Sequence, residues 1–279
     1  MKKTVVILIL ALSLAALMGL KLRLDQIARA EVPGASILYI PTGRFLHYAS
    51  FGNSPLFADL IYLWAIQYFS NPKVADRFQH LEHVFSIIAE LDPRYLDPYE
   101  IGALIAVYEA RDLDKAFRIL DLGLENNPDQ WIFPWLAGHY AQMTVKDYRV
   151  AQEYYRKAMD IDGAPAMTRR LYANAAFQLS DYRTALQHWL EIFRTAEDDR
   201  VKKIAYNQLY RVDAALDTEA LAAALAQYRE RYGRLPDDLS ALVTAGLMDS
   251  LPLDLEENPY QYDPSTGEVK AAEVWWKLS

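Results

Sequence analysis

The sequence predicts an all-α fold in which helical hairpins stack into a solenoid, and three observations support this prediction. Ala116, Ala151 and Ala185 recur at a nearly constant spacing, each inside the same local pattern. Pro93 and Pro128, each just beyond a predicted helix, repeat the spacing from Ala116 to Ala151. Between these positions, apolar residues recur with the period of a helix. A repeat of about 34 residues is typical of helix-turn-helix units, which bury their apolar faces by stacking.

Turn-forming residues set the ends of the predicted helices, because proline, asparagine and glycine interrupt the helical period. The predicted helices cover residues 56–69, 74–91, 98–110, 113–125, 132–143, 148–161, 167–179 and 182–195. In the first of them, a wide apolar face is expected from Leu56, Leu60, Leu63, Ile66 and Tyr68-Phe69. A further helix at about residues 200–216 is expected to cap the stack and complete a repeat domain at residues 56–216.

The composition excludes several classes of function. With 279 residues, 52% of them hydrophobic, the chain is long enough for an elongated domain and a smaller one. The formal charge of −8 argues against binding to nucleic-acid backbones, which requires a basic surface. Cysteine is absent from the sequence, which excludes disulfides, thiolate nucleophiles and cysteine metal sites.

Residues 1–30 are predicted to attach the chain to a membrane. Residues 4–20 are an uncharged run, which as a helix spans about 25 Å against about 30 Å of bilayer hydrocarbon. Two interpretations compete: a signal peptide cleaved near Ala28-Arg29-Ala30, and an uncleaved transmembrane helix. The charged, helix-favouring stretch before Ala28 favours the anchor. The expected location is the bacterial inner membrane, crossed once, with the bulk of the chain facing the periplasm.

Two further segments flank the repeat domain. Residues 31–55 are rich in turn signals and are predicted to form a linker, with a short strand or extended stretch at residues 36–40. Residues 217–279 are predicted to form a small α+β segment. Its expected elements are a helix at residues 219–232 ending at Gly233, a short helix after Pro236, and a β-hairpin turning at residues 263–267.

Several of these positions resemble the tetratricopeptide (TPR) repeat family, over about residues 62–200. They fall at the family's small, large, glycine and helix-ending positions: Ala116, Ala151, Ala185, Leu120, Tyr155, Trp189, Ala158, Gly138, Pro93 and Pro128. Leu104 and Ala173 replace the glycine in two repeats, and Leu81 stands where alanine is expected. The resemblance implies a curved array that binds peptides or proteins along the concave side formed by the first helix of each repeat.

The same resemblance implies which residues line that groove. Counting from the start of each repeat gives three positions in each of three repeats: Ile101, Ile105, Tyr108, Trp135, His139, Gln142, Arg170, Asn174 and Phe177. Aromatic faces suit apolar side chains of a bound peptide, while amides and arginine suit its backbone or carboxylates. The alternative interpretation is that the aromatic members of this set belong to the core between repeats.

The C-terminal segment resembles the globular end of type II secretion pseudopilins and some type IV pilins, over about 50 residues. The resemblance lies in residues 228–239, Leu251-Pro-Leu-Asp254, Asn258-Pro-Tyr260 and residues 262–269. A processing glycine followed by phenylalanine and an acidic residue is missing from residues 1–20, so the chain is not a pilin. A pilin-like module and a generic helix-and-hairpin closure both remain open. Some pseudopilins bind calcium here, but only Asp254 and Asp263 offer carboxylates in matching places.

Residues that would carry catalysis are sparse in this sequence. His80 and His83 could supply half of a transition-metal site, but no third ligand is evident. Phosphate-binding glycine loops and nucleophile motifs are absent from the sequence. We therefore expect no enzyme activity, no metal and no cofactor.

The expected function is a membrane-anchored scaffold that binds and helps to assemble or hold envelope proteins, with type IV pilus or type II secretion machinery suggested by the C-terminal resemblance. One alternative is an accessory subunit of another membrane complex, such as a respiratory or transport assembly. A second alternative is a metal-dependent enzyme that uses His80, His83 or His139.

Overall fold

The computed structural model describes residues 2–25, 41–74 and 76–271, and this part of the chain is mostly helical, as the all-α prediction states. The helices are α1 (Lys2–Asp25), α2 (Gly43–Ala49), α3 (Ser54–Phe69), α4 (Leu81–Leu91), α5 (Asp97–Tyr108), α6 (Leu113–Asn126), α7 (Ile132–Tyr140), α8 (Tyr148–Met159), α9 (Ala166–Gln178), α10 (Tyr182–Thr195), α11 (Asp199–Tyr232) and α12 (Ser240–Thr244). The strands are β1 (Gln261–Asp263) and β2 (Glu268–Lys270).

From α3 to α11, each helix packs against the next helix in the chain, so the repeat region forms a solenoid-like stack. The repeated alanines Ala116, Ala151 and Ala185 are fully buried in α6, α8 and α10. Large side chains four residues later are also buried, among them Tyr155 and Trp189. Small residues let neighbouring helices approach closely, and the large residues fill the space beside each crossing.

The turn inside each of three hairpins repeats the same backbone conformation. A non-glycine residue with positive φ precedes an aspartate, whose side chain accepts a hydrogen bond from a backbone N–H in the first turn of α6, α8 or α10. These pairs are Arg111-Asp112 (φ 55°), Lys146-Asp147 (φ 55°) and Ser180-Asp181 (φ 60°). The turns therefore recur with the same spacing as the buried alanines.

The ends of two predicted helices differ in the structure. The helix predicted at residues 74–91 is a 3-10 turn (Arg77–His80) followed by α4. The helix predicted at residues 132–143 ends at Tyr140 and continues as a π-helical turn, Ala141–Val145.

Helix α11 is continuous where the sequence predicts two helices, at about residues 200–216 and 219–232. Proline and glycine, the residues that end helices most strongly, are absent between Asp199 and Tyr232. Thr218 stays within the helix because its hydroxyl donates to the carbonyl of Ala214 at 2.7 Å. The predicted boundary between residues 216 and 217 therefore falls inside α11, and Gly233 (φ 74°) ends the helix as predicted.

The predicted membrane anchor falls only partly on described residues. Helix α1 covers Lys2–Asp25, and its side chains are described from residue 10 to residue 23. In the part of the chain that the structure describes, no helix reaches the combination of length and hydropathy that crossing a membrane requires. The predicted cleavage site at Ala28-Arg29-Ala30 and the predicted strand at residues 36–40 lie outside the described residues.

The C-terminal segment folds back on α11. Strands β1 and β2 pair antiparallel, with Tyr262 opposite Val269, and Gly267 (φ 81°) completes their turn. This confirms the predicted hairpin. Its core joins Leu221 and Leu225 of α11 to Leu242 of α12.

Gly138 allows α7 and α8 to cross closely. A Cβ atom at this position would lie 2.8 Å from ring carbons of Tyr155 and 3.1 Å from the carbonyl oxygen of Ala151. We expect Gly138→Ala to lower the free energy of unfolding by about 1–2 kcal/mol, because overpacking costs about 1–3 kcal/mol and alanine regains only about 0.5–1 kcal/mol in a helix. Chemical denaturation measures the change, and a variant as stable as the wild type would contradict this packing.

Candidate partner-binding groove

The nine predicted groove residues lie on the first helices of three successive hairpins. Ile101, Ile105 and Tyr108 are on α5, Trp135 and His139 are on α7 with Gln142 just beyond it, and Arg170, Asn174 and Phe177 are on α9. Tyr108 is exposed, and the other eight are half-buried. Helix α5 contacts α7, and residues of both α7 and α9 pack on the cluster of Ala141, Ala151 and Tyr155.

The backbone register shows which of these residues are structurally equivalent. The N–H groups of Asp112, Asp147 and Asp181 donate to the carbonyls of Ala106, Ala141 and Ala176, at 2.9, 3.1 and 2.9 Å. Residues at the same distance before each of these alanines are therefore structurally equivalent. Six residues before them lie Glu100, Trp135 and Arg170. Two residues before them lie Leu104, His139 and Asn174.

At these equivalent positions α5 therefore carries Glu100 and Leu104, which the nine predicted residues do not include. The predicted Ile101 and Ile105 lie one residue further along α5, and Ile105 is equivalent to the buried Tyr140 rather than to His139. Leu104 is 42% exposed, whereas Ile105 packs against the core. The sequence does contain a signal for these two positions. Asp112 caps the N-terminus of α6 and so fixes the residue at which α6 begins, from which the α5 positions can be counted back.

Aromatic rings cluster around the predicted groove residues of α7. The rings of Trp135 and His139 are stacked, with centroids 5.2 Å apart and an angle of 4° between their planes. Trp131 meets Trp135 edge-on at 6.5 Å, and Tyr108 of α5 meets Tyr140 edge-on at 6.0 Å. Burial lowers the pKa of His139, so its imidazole is neutral at pH 7. These predicted groove residues of α7 are therefore uncharged and carry flat rings.

Glu100 supplies a negative charge next to these rings. Burial and the nearby charge of Asp97 raise the pKa of the half-buried Glu100 carboxyl. Burial raises the pKa of Tyr140, and smaller contributions come from Tyr108 and then from the charge of Glu100. Within the described ranges, none of the ion pairs involves Glu100. A partner's ammonium or guanidinium group would lower the cost of keeping this carboxylate charged.

The predicted groove residues of α9, and Gln142 just beyond α7, contact other parts of the protein. The guanidinium carbon of Arg211, on α11, lies 5.0 Å from the ring centroid of Phe177, and Tyr182 contacts the same ring at 5.5 Å. Phe177 is thus covered by the protein itself. Arg170 lines a cavity of about 510 Å³ between the start of α9 and the end of α10. Gln142 is engaged within the fold, since its side-chain oxygen accepts from the Tyr155 hydroxyl at 3.0 Å.

No protein-family model matches the chain, and no curated protein is similar to it at a significant level.

The histidines proposed for metal binding are not brought together with further ligands. His80 ends the 3-10 turn, and the exposed His83 lies in the first turn of α4. Glu82, between them, is paired with Arg118, whose Nε donates at 2.9 and 3.0 Å to its two carboxylate oxygens. In the described part of the chain, no group of three or more histidine, cysteine, aspartate or glutamate residues is placed to hold a metal ion.

The two carboxylates considered for calcium have other roles. Asp254, only 5% exposed, accepts hydrogen bonds from the Tyr210 hydroxyl at 2.7 Å and from the backbone amides of Asn258 and Glu256 at 2.8 and 3.0 Å. Asp263 accepts from the amide and hydroxyl of Ser265 in the hairpin turn. Asp254 therefore attaches its loop to α11.

Proposed function

We propose that this chain is a membrane-attached scaffold that holds a segment of another envelope protein against α5, α7 and α9. One observation carries the proposal: equivalent positions on the three helices present Glu100, Trp135 and Arg170 in one row and Leu104, His139 and Asn174 in the next. A solenoid offers such rows along one side because each hairpin repeats the orientation of the one before it.

The chemistry of the rows defines the segment that would suit them. A basic side chain would pair with Glu100, and apolar or flat side chains would lie on Leu104 and on the Trp135–His139 stack. An acidic side chain or carboxylate would pair with Arg170, which lines the cavity at the start of α9. The preferred partner is therefore an extended segment with a basic end and an acidic end, separated by apolar residues.

Residues 4–20 would provide the membrane attachment, with the stack in the periplasm of a bacterium. The resemblance of residues 228–269 to pseudopilins supports type IV pilus or type II secretion machinery as the assembly served. An accessory subunit of a respiratory or transport complex would use the same groove, and the identity of the bound partner distinguishes the two.

Photocrosslinking in the intact cell tests the proposal. A photoreactive amino acid at Leu104 or His139 should crosslink to one discrete partner, which is then identified after extraction in detergent. The matched controls are Arg149 and Arg183, exposed residues on the second helices α8 and α10. Equal crosslinking from the control positions, or no crosslinking from Leu104 and His139, would contradict the proposed groove. The further replacements Trp135→Ala and Arg170→Ala should abolish the product from Leu104.

A further inference from the structure

Helix α3 is apolar on two opposite sides. One side is buried against the stack through residues spaced at 4, 3 and 4 positions: Ala58, Tyr62, Ala65 and Phe69. The residues expected from the sequence to form the apolar face lie mostly on the other side and are exposed: Leu56 (56%), Leu60 (56%), Leu63 (57%) and Ile66 (37%). The buried side contains Ala58 and Ala65 because small residues let α3 approach α4 closely.

The exposed residues form a continuous row along α3. Leu56, Leu60 and Leu63 follow the spacing that places side chains on one helix face, and Ile66 extends this face by a further turn. Single exposed leucines are common on protein surfaces, but a row of aliphatic side chains indicates a contact surface. The question is then what covers this row.

Charge distinguishes this end of the molecule from the rest. Residues 41–72 contain two charged residues, Arg44 and Asp59, although 24% of the whole chain is charged and its formal charge is −8. The same region exposes Phe45, Tyr48 and Phe51, which are 60%, 76% and 92% exposed. The exposed Asp59 lies within the row on α3, between Leu56 and Leu63, so the surface carries one carboxylate among aliphatic and aromatic side chains. A surface this poor in charge is the composition that enters the headgroup region of a bilayer. The acidic remainder of the chain would be repelled by anionic lipids.

The chain also places this region near the proposed anchor. The described side chains of α1 are all exposed, and they include the leucines at positions 10, 12, 14, 17, 20 and 22. Residues 26–40 connect α1 to the region of α2 and α3. Fifteen residues reach at most about 50 Å when fully extended. If α1 lies in a membrane, α3 stays within reach of its surface.

We infer that the outer face of α3, formed by Leu56, Leu60, Leu63 and Ile66, lies on the surface of a lipid bilayer. This inference rests on the membrane attachment in the proposed function. A helix bound in this way buries its apolar face about 5–10 Å into the boundary between headgroups and acyl chains. It would fix the first hairpin of the stack against the membrane and leave the later hairpins to extend away from it.

Site-directed spin labelling of the full chain tests this inference, since the sequence lacks cysteine and each label is unique. Leu60→Cys and Leu63→Cys carry nitroxides on the outer face of α3, and Leu179→Cys, at the end of α9, is the control. The protein is reconstituted in vesicles of phosphatidylcholine and phosphatidylglycerol. On α3 we expect several-fold lower accessibility to a polar nickel complex than at Leu179, with higher accessibility to oxygen.

Three other outcomes would overturn the inference and differ from one another. Nickel accessibility on α3 equal to that at Leu179, with the protein still floating with the vesicles, would leave the anchor in place and place the α3 face in water. Exclusion of both reagents together with dipolar broadening would show that a second copy of the chain covers the face. Failure of the protein to float with the vesicles would show that the chain is not attached to the membrane. The crosslinking test of the groove is independent of this result.

Discussion

Replacing Tyr155 by alanine is expected to lower the free energy of unfolding by about 3–5 kcal/mol, because removing a large buried aromatic side chain leaves a cavity as well as losing its burial. Tyr155 is fully buried at the crossing of α7 and α8, against Gly138, and packs with Ala141 and Ala151. Leu171 and Tyr172 of α9 pack on the same cluster. The loss should therefore weaken two neighbouring interfaces of the stack.

Hydrogen exchange measured by mass spectrometry should locate this effect. Exchange should accelerate in α7, α8 and α9 more than in α3 and α4, because a solenoid transmits stability mainly between neighbouring units. Tyr155→Phe is the matched control: it keeps the ring and loses only the hydroxyl that donates to Gln142, a change of about 1 kcal/mol. Uniform acceleration along the chain would show that the stack unfolds as one unit.

The pair Gly138 and Tyr155 also allows a sharper check. With alanine at residue 155, the ring that a Cβ at residue 138 would meet at 2.8 Å is gone. In the Tyr155→Ala background, Gly138→Ala should therefore lower the free energy of unfolding much less than it does in the wild type. The effects of the two replacements should not be additive. Additive effects would mean that the ring and the glycine do not define the helix crossing.

The sequence was sufficient to predict most helices of the stack because their turns carry strong local signals. The spacing of Ala116, Ala151 and Ala185 reports a repeated helix crossing, and each helix pair is bounded by turn-forming residues. Gly233 ends α11 and the Pro/Gly turn of the hairpin forms as predicted, since both depend on local backbone preferences. These features needed no knowledge of distant contacts.

The register of the groove could not be predicted in this way. The step from Ala151 to Ala185 is one residue shorter than the step from Ala116 to Ala151, but the alanines do not show where the missing residue lies. The backbone hydrogen bonds place it in the turn between α9 and α10: Ala141 and Asp147 are six residues apart, whereas Ala176 and Asp181 are five apart. Ala103, rather than Leu104, is therefore the equivalent of Gly138. This shift by one residue changes which α5 side chains are equivalent to those of α7 and α9.

The exposed row on α3 and the unbroken α11 were missed for a different physical reason. A helix that is apolar all round gives no sequence signal for which side is buried. In α3 the buried side is the one that carries small residues such as Ala58. In α11, Thr218 lies between the two predicted helices, but a threonine can also satisfy its hydroxyl inside a continuous helix.

Replacing Asp254 by alanine is expected to release the C-terminal loop from α11 and to destabilise the segment by about 3 kcal/mol or more. Hydrogen bonds to a charged group contribute about 1.5–3 kcal/mol each, and the change removes the carboxylate that accepts from the Tyr210 hydroxyl and from the amides of Glu256 and Asn258. Asp263→Ala is the control, since its exposed carboxylate only braces the hairpin turn, and its effect should be much smaller. Urea denaturation followed through the NMR signals of residues 250–263 measures both.

The pH dependence of the same segment identifies the carboxylate responsible. Burial alone would raise the pKa of Asp254, but hydrogen bonds from Tyr210, Asn258 and Glu256 outweigh it and hold the pKa below its usual range. Its contribution is therefore present above the ordinary value of about 3.9 and is lost as the pH falls through the lower folded-state pKa. Burial and the charges of Asp217 and Asp254 raise the pKa of Asp213, so protonation of Asp213 acts in the opposite sense and favours folding as the pH falls.

The stability of the segment should thus rise slightly from neutral to mildly acidic pH, as Asp213 takes up its proton, and then fall below about pH 4 as Asp254 does so. In Asp254→Ala, the acid-side loss should shrink to the part contributed by Asp238 and Asp263, whose pKa values hydrogen bonds also lower. The rise should shrink as well, because one of the like charges acting on Asp213 is gone. An acid-side loss in the variant as large as that of the wild type would contradict the role assigned to Asp254.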